Sequence, residues 1–220
     1  MKPFLIRGLG IVLKPLSRVS LFELLLSLFR IRKQDISGLT ELWVILNLLL
    51  SLFLLKLVSS SSGFTYGLLA MIYGCVRLFE IVVFQFYTQI YGGYRGKKPS
   101  LYYTVESYRR SIVLAGLLYL EVIIWFAAFY RLNGGSFGSS KLHLDSFFVA
   151  LYYSIVTMTT IGYGDISPIQ TPGLILVSTQ ALIGIFMTIL VLSRIISYIP
   201  KPWTEDEAEK NEKAHREDEV

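Results

Sequence analysis

Long apolar stretches separated by short polar segments run through most of the chain. Four of them, residues 39–58, 64–91, 111–130 and 172–199, reach the length of about 20 apolar residues that a helix needs to cross a bilayer. Residues 145–157 form a shorter apolar stretch, which predicts a re-entrant or buried helix between the last two spans. The pattern predicts an all-α integral membrane protein with four transmembrane helices and one short helix that does not cross.

Composition supports the same class of protein. Of the 220 residues, 53% are hydrophobic and 17% are charged, whereas soluble domains carry about 25% charged residues. Cys75 is the only cysteine, which excludes a disulfide-framed fold. We therefore do not expect a soluble enzyme, a disordered chain or a disulfide-rich domain.

The distribution of Lys and Arg predicts how the spans are oriented. These residues are frequent in 1–38, in 92–110 and after the last span, and they are sparse in 59–63 and 131–145. Because basic loops stay on the cytoplasmic side, we expect both termini in the cytoplasm. Within the spans, Arg77 and Glu80 lie three residues apart on one helical face, where they can pair or face a partner helix.

The N-terminal segment carries basic residues on one side of a helical wheel. Residues 4–31 therefore predict one or two amphipathic helices in the membrane interface, with a fifth, short span at 21–31 as the alternative. Basic residues beside apolar runs favour anionic lipid headgroups over nucleic acid as the partner. The predicted lipid-facing residues are Arg7, Lys14, Arg18, Arg30, Arg32 and Lys33.

A nine-residue motif from Thr157 to Asp165 follows the short apolar stretch and reads Thr-Met-Thr-Thr-Ile-Gly-Tyr-Gly-Asp. Gly162 and Gly164 alternate with larger residues, so successive residues can adopt backbone conformations of opposite hand. Successive carbonyls can then point to one side, and a column of carbonyls can replace the hydration shell of a cation. An ordinary glycine loop is the alternative, and the position between two spans disfavours it.

This motif resembles the selectivity-filter signature of the potassium channel family. The resemblance covers about residues 111–200 and implies an outer helix, a pore helix at 145–157, a filter at 160–164 and an inner helix. It also implies a homotetramer, because four strands of carbonyls are needed to enclose an ion. The ion-binding residues that it implies are Thr160, Ile161, Gly162, Tyr163 and Gly164, with potassium held at the first four.

The resemblance also implies a set of residues that support the filter. Tyr152 and Tyr153 stand at aromatic positions that pack around Tyr163, and Val156 stands where some bacterial members have a buried Glu. A carboxyl-linked brace to Asp165 is therefore not expected. The supporting residues are Thr157, Thr159, Tyr152, Tyr153 and Asp165.

The last span carries candidates for a hinge and a gate. Gly184 stands where the family has a hinge in the inner helix, and a glycine for close helix packing is the other interpretation. Thr188, Leu192 and Ile196 recur at a spacing of four and form one stripe, which can face a cavity and gate it by dewetting. Lipid-facing residues would show the same pattern.

These observations predict a potassium-selective channel subunit in the cell membrane, with a poorly selective cation channel or a non-conducting scaffold or regulatory subunit as rivals. Arg77 stands alone in its span, so we expect no voltage sensor. Neither an enzyme nor a cofactor is expected, apart from potassium as the permeant ion. The predicted domains are interfacial helices (1–37), two transmembrane helices (38–93), a basic cytoplasmic linker (94–110), the pore domain (111–200) and a charged cytoplasmic tail (201–220).

Overall fold

The computed structural model describes residues 36–58, 64–92, 108–139 and 142–198. The long helices are α1 (Ile36–Leu57), α2 (Phe64–Gly92), α3 (Tyr108–Leu132) and α5 (Thr171–Tyr198), and the short helix α4 spans Phe147–Met158. A two-stranded antiparallel sheet joins β1 (Phe137–Gly138) to β2 (Ser167–Pro168). The four long helices are apolar and long enough to cross a membrane, which confirms the predicted all-α fold class.

The short helix begins two residues later than its apolar pattern predicted. Ser146 has extended backbone angles (φ −72°, ψ 130°), so helical geometry starts only at Phe147. The helix then continues to Met158, one residue beyond the predicted end. A length of 12 residues is too short to cross a bilayer.

Helix α3 is the centre of the fold. Its residues 121–130 are all buried, and Trp125, Phe126, Phe129 and Tyr130 are among the largest fully buried side chains. The rings of Trp125 and Phe129 approach α2 so closely at Gly74 that a Cβ there would come within 2.7 Å of them. Since α1, α2, α4 and α5 all pack on α3, this helix positions the others around the candidate site.

A buried ion-pair cluster joins α2 to α3. Nε and Nη2 of Arg77 donate to the two carboxylate oxygens of Glu121 at 2.7 and 3.0 Å, and Nη1 donates to Glu80 at 2.7 Å. The guanidinium also lies over the ring of Trp43, 5.7 Å from its centroid. The predicted pairing of Arg77 with Glu80 is confirmed, and Glu121 is a second partner that sequence reasoning did not identify.

Arg131 ties the end of α1 to the end of α3. Its Nη1 donates to the carbonyl of Leu55, and its Nε donates to the carbonyl of Asp145 at 2.9 Å, just before α4 begins. Carbonyls in the last turn of a helix lack partners within the helix, so a cation there stabilises the helix end. Arg131 therefore fixes the position of α1 and the start of α4 relative to α3.

Candidate functional site

The segment after α4 alternates between left-handed and ordinary backbone conformations. Thr160, Gly162 and Gly164 have φ of 60°, 59° and 74°, and within the described residues they are the positions with positive φ. Sequence reasoning identified the two glycines as the residues that permit this conformation. It did not identify Thr160, because a β-branched residue rarely adopts positive φ.

The hydrogen bonds of this segment show which way its peptide groups point. The amides of Ile161 and Gly162 both donate to the carbonyl of Val156 in α4, at 3.0 and 3.4 Å. In a trans peptide the C=O points opposite to the N–H of the next residue. The carbonyls of Thr160 and Ile161 therefore both point away from α4, on a stretch in which residues 159–165 are all exposed. Such an arrangement suits the coordination of a dehydrated cation.

Tyr152 holds the far end of this segment. Its ring stacks on Tyr163 at a centroid distance of 6.4 Å and an interplanar angle of 5°, and its hydroxyl donates to Oδ2 of Asp165 at 2.6 Å. The hydrogen bond to the Asp165 carboxylate raises the pKa of Tyr152 to about 12. The hydroxyl therefore stays protonated near neutral pH and remains a donor, and it supplies a brace to Asp165 that does not need a carboxyl at position 156.

On the predicted channel function, Tyr152→Phe is expected to shorten open times several-fold, because it keeps the stacked ring and removes the hydrogen bond to Asp165. Single-channel recording in planar bilayers measures this, with Tyr66→Phe as the matched control because Tyr66 is 72% exposed on α2. If Tyr152→Phe leaves the mean open time at the wild-type value, the hydroxyl does not brace the segment.

The other predicted supporting residues lie at different places around α4. Tyr153 packs edge-on against Tyr130 and Phe137, at centroid distances of 4.8 and 5.5 Å. In this chain Tyr152 alone of the two tyrosines stacks on Tyr163. Thr157 lies in the last turn of α4, and Thr159 follows the helix, where its hydroxyl donates to the carbonyl of Ile155 at 2.8 Å.

A buried polar network behind the segment joins three helices. Nε2 of Gln180 in α5 donates to Oγ and O of Ser154 in α4, at 2.8 and 3.0 Å. The hydroxyl of Tyr130 in α3 donates to Oε1 of Gln180, and Oγ of Ser154 donates to the carbonyl of Ile123. Sequence reasoning missed this network, although a glutamine within an apolar span is itself a signal of a buried partner.

The predicted hinge and gate residues lie on different faces of α5. A Cβ at Gly184 would come within 2.9 Å of the carbonyl oxygen of Met158, so this glycine allows α5 to approach the end of α4. The hydroxyl of Thr188 lies 3.4 Å from that of Tyr119 in α3, and Thr188 therefore faces α3. Leu192 and Ile196 are 51% and 65% exposed, on the face that the described chain leaves uncovered.

The six basic N-terminal residues lie outside the described part of the chain. Among the described residues, no group of three or more His, Cys, Asp and Glu side chains is placed to hold a metal ion.

Comparisons with known proteins bear on this part of the chain. Residues 117–201 match a family model described as "Ion channel". Over 95 residues the chain is 34% identical to "Potassium voltage-gated channel subfamily A member 5" of Rattus norvegicus. The matched region covers 43% of this chain and 15% of that protein. Over 93 residues the chain is 40% identical to "Two pore potassium channel c" of Oryza sativa subsp. japonica. The matched region covers 41% of this chain and 20% of that protein.

A third relative shows the same extent of similarity. The chain is 30% identical over 89 residues to "TWiK family of potassium channels protein 7" of Caenorhabditis elegans, covering 40% of this chain and 15% of that protein. No solved structure matches the chain. The chain thus matches about 15–20% of the length of these three relatives. Over residues 117–201, its resemblance to the pore-loop potassium channel family is confirmed.

Proposed function

We propose that this chain is a subunit of a potassium-selective channel, which conducts passively through a pore surrounded by four copies. The observation that carries the proposal is the alternation of left-handed backbone at Thr160, Gly162 and Gly164 with two successive carbonyls directed away from α4. One such segment per chain supplies one of the four carbonyl columns that an ion needs. The names of the relatives support potassium as the ion.

The proposal extends to the residues that hold the ion and to the surroundings of the pore. The carbonyls of Thr160, Ile161, Gly162 and Tyr163 and the hydroxyl of Thr160 coordinate potassium, and Gly164 ends the column. The Lys and Arg distribution supports cytoplasmic termini in the cell membrane. Anionic lipid at the N-terminal basic residues and the division into five domains stay predictions.

The test is conduction by the purified protein in planar bilayers with potassium on one side and sodium on the other. We expect a reversal potential far from zero, with the sign that potassium permeation gives, because the carbonyl column favours potassium over the smaller, more strongly hydrated sodium ion. A reversal potential near zero would favour the poorly selective cation channel. Absence of current, with the protein folded and tetrameric by chemical cross-linking, would favour a scaffold or regulatory subunit.

A further inference from the structure

Three side-chain contacts join α2 to the C-terminal half of α5. The rings of Phe86 and Phe186 stack at a centroid distance of 5.4 Å. Nε2 of Gln89 donates to Oγ of Ser193 at 2.9 Å. Nη2 of Arg194 donates to Oγ1 of Thr88 at 2.6 Å. These contacts, which we call the α2–α5 clasp, all lie beyond Gly184 along α5.

The N-terminal half of α5 is attached to different elements. Gln180 is hydrogen-bonded to Ser154 in α4, and Gly184 contacts the end of α4 at Met158. The filter segment begins directly after α4. Gly184 therefore separates the part of α5 that is fastened to the filter scaffold from the part that is fastened to α2.

Arg194 is the strongest member of the clasp. Besides its bond to Thr88, its Nη1 lies 3.3 Å from both the carbonyl oxygen and Oγ of Ser111 in α3. One planar guanidinium thus bridges two neighbouring helices, which the point charge of a lysine does less well. Hydrogen bonds to a charged group are worth more than neutral ones, so breaking this bridge within the protein is costly.

We propose that α2 controls the gate of the channel through this clasp. The inference rests on the proposed conduction, and it assigns a role to a helix that precedes the pore. Any conformational change that moves the C-terminal half of α5 relative to α2 must break these contacts. The clasp contacts then stabilise the open and closed states to different extents. The clasp therefore shifts the equilibrium between the two states.

The test is a double-mutant cycle with Thr88→Ala, Arg194→Gln and the double variant, read by single-channel recording. We expect each single variant to change the ratio of open to closed time by about fivefold or more, because a charge-assisted hydrogen bond is lost. The double variant is expected to change it no further than the larger single variant, since both single variants remove the hydrogen bond between Arg194 and Thr88. Additive effects, or an unchanged ratio in both single variants, would overturn the proposal.

Two controls separate gating from general damage. Thr65→Ala is the matched control, because Thr65 is an exposed threonine on the same helix, and it should leave the ratio unchanged. The potassium-to-sodium permeability ratio should stay at the wild-type value in all variants, because the filter is held through Gln180 and α4. A loss of selectivity together with the change in open time would mean that the contacts only support the fold. If Arg194→Gln does not assemble, the uncharged pair Gln89→Leu and Ser193→Ala replaces it in the cycle.

Hydrogen exchange followed by mass spectrometry tests the clasp even if the wild type carries no current, which would be a failure of the proposed function alone. Thr88→Ala should speed amide exchange in residues 186–196 and leave residues 171–184 unchanged, because only the first group depends on the clasp. If Thr88→Ala speeds exchange equally in both groups of residues, or leaves exchange in both groups at the wild-type rate, the proposal is overturned.

Discussion

Gly162→Ala or Gly164→Ala is expected to abolish potassium-selective conduction while membrane insertion and helix content stay unchanged. These glycines have φ of 59° and 74°, and no side-chain or backbone atom lies within 4 Å of a Cβ built on either. Within the single chain, the substitution is therefore opposed by backbone conformation and not by lack of space. A left-handed conformation costs an L-residue about 1–2 kcal/mol, or about 4–8 kcal/mol summed over the four chains that we propose.

The measurement is the bi-ionic reversal potential together with single-channel conductance, and circular dichroism reports helix content. Gly116→Ala is the matched control, because a Cβ at Gly116 also meets no atom within 4 Å while its φ is negative. Alanine in the middle of α3 is expected to leave conduction unchanged and to stabilise the helix slightly. Wild-type selectivity in both filter variants would contradict the assignment of the filter.

Arg77→Met is expected to destabilise the protein by about 3–5 kcal/mol, because it leaves two carboxylates without their cation in the interior. Glu121 is fully buried and Glu80 is 10% exposed in its side chain, and Arg77 contacts both. Glu121→Gln should cost less, about 1.5–3 kcal/mol, since Arg77 keeps its ion pair with Glu80 and loses one of its two hydrogen bonds to position 121.

The free energy of unfolding in detergent, from denaturant titration of tryptophan fluorescence, measures this asymmetry. Lys56→Met is the matched control, because Lys56 is an exposed cation in the last turn of α1, and it should change stability by less than about 0.5 kcal/mol. A smaller loss for Arg77→Met than for Glu121→Gln would mean that Arg77 is not the group that holds the cluster together.

The place of the site along the chain could be predicted because the relevant signals are local. The two glycines and the following Asp165 mark the segment, and their spacing alone indicates alternating backbone hand. The left-handed Thr160 could not be predicted in this way. Its own side chain disfavours that conformation, and the amide of the next residue, which donates to the carbonyl of Val156, helps to hold it there.

The partners of the buried polar side chains depended on the tertiary structure. Arg77 and Glu121 are 44 residues apart, and Gln180 and Ser154 are 26 apart. Helical periodicity says which residues share a face, but it does not say which face of another helix lies opposite. That choice depends on the rotation and crossing of the packed helices, which also turned Tyr153 toward Tyr130 and left Tyr152 on Tyr163.

Within the described residues, the four long helices, their approximate ends and the position of the short helix were determined by the sequence alone. In a bilayer the backbone hydrogen bonds of a crossing segment must be satisfied without water. A long apolar stretch satisfies them within itself by forming an α-helix. This constraint acts within each segment and therefore leaves the pairings between helices open. The Arg77 cluster, the Gln180 network and the α2–α5 clasp were decided only when packing brought polar groups distant in sequence into contact, because such groups need a partner where water is absent.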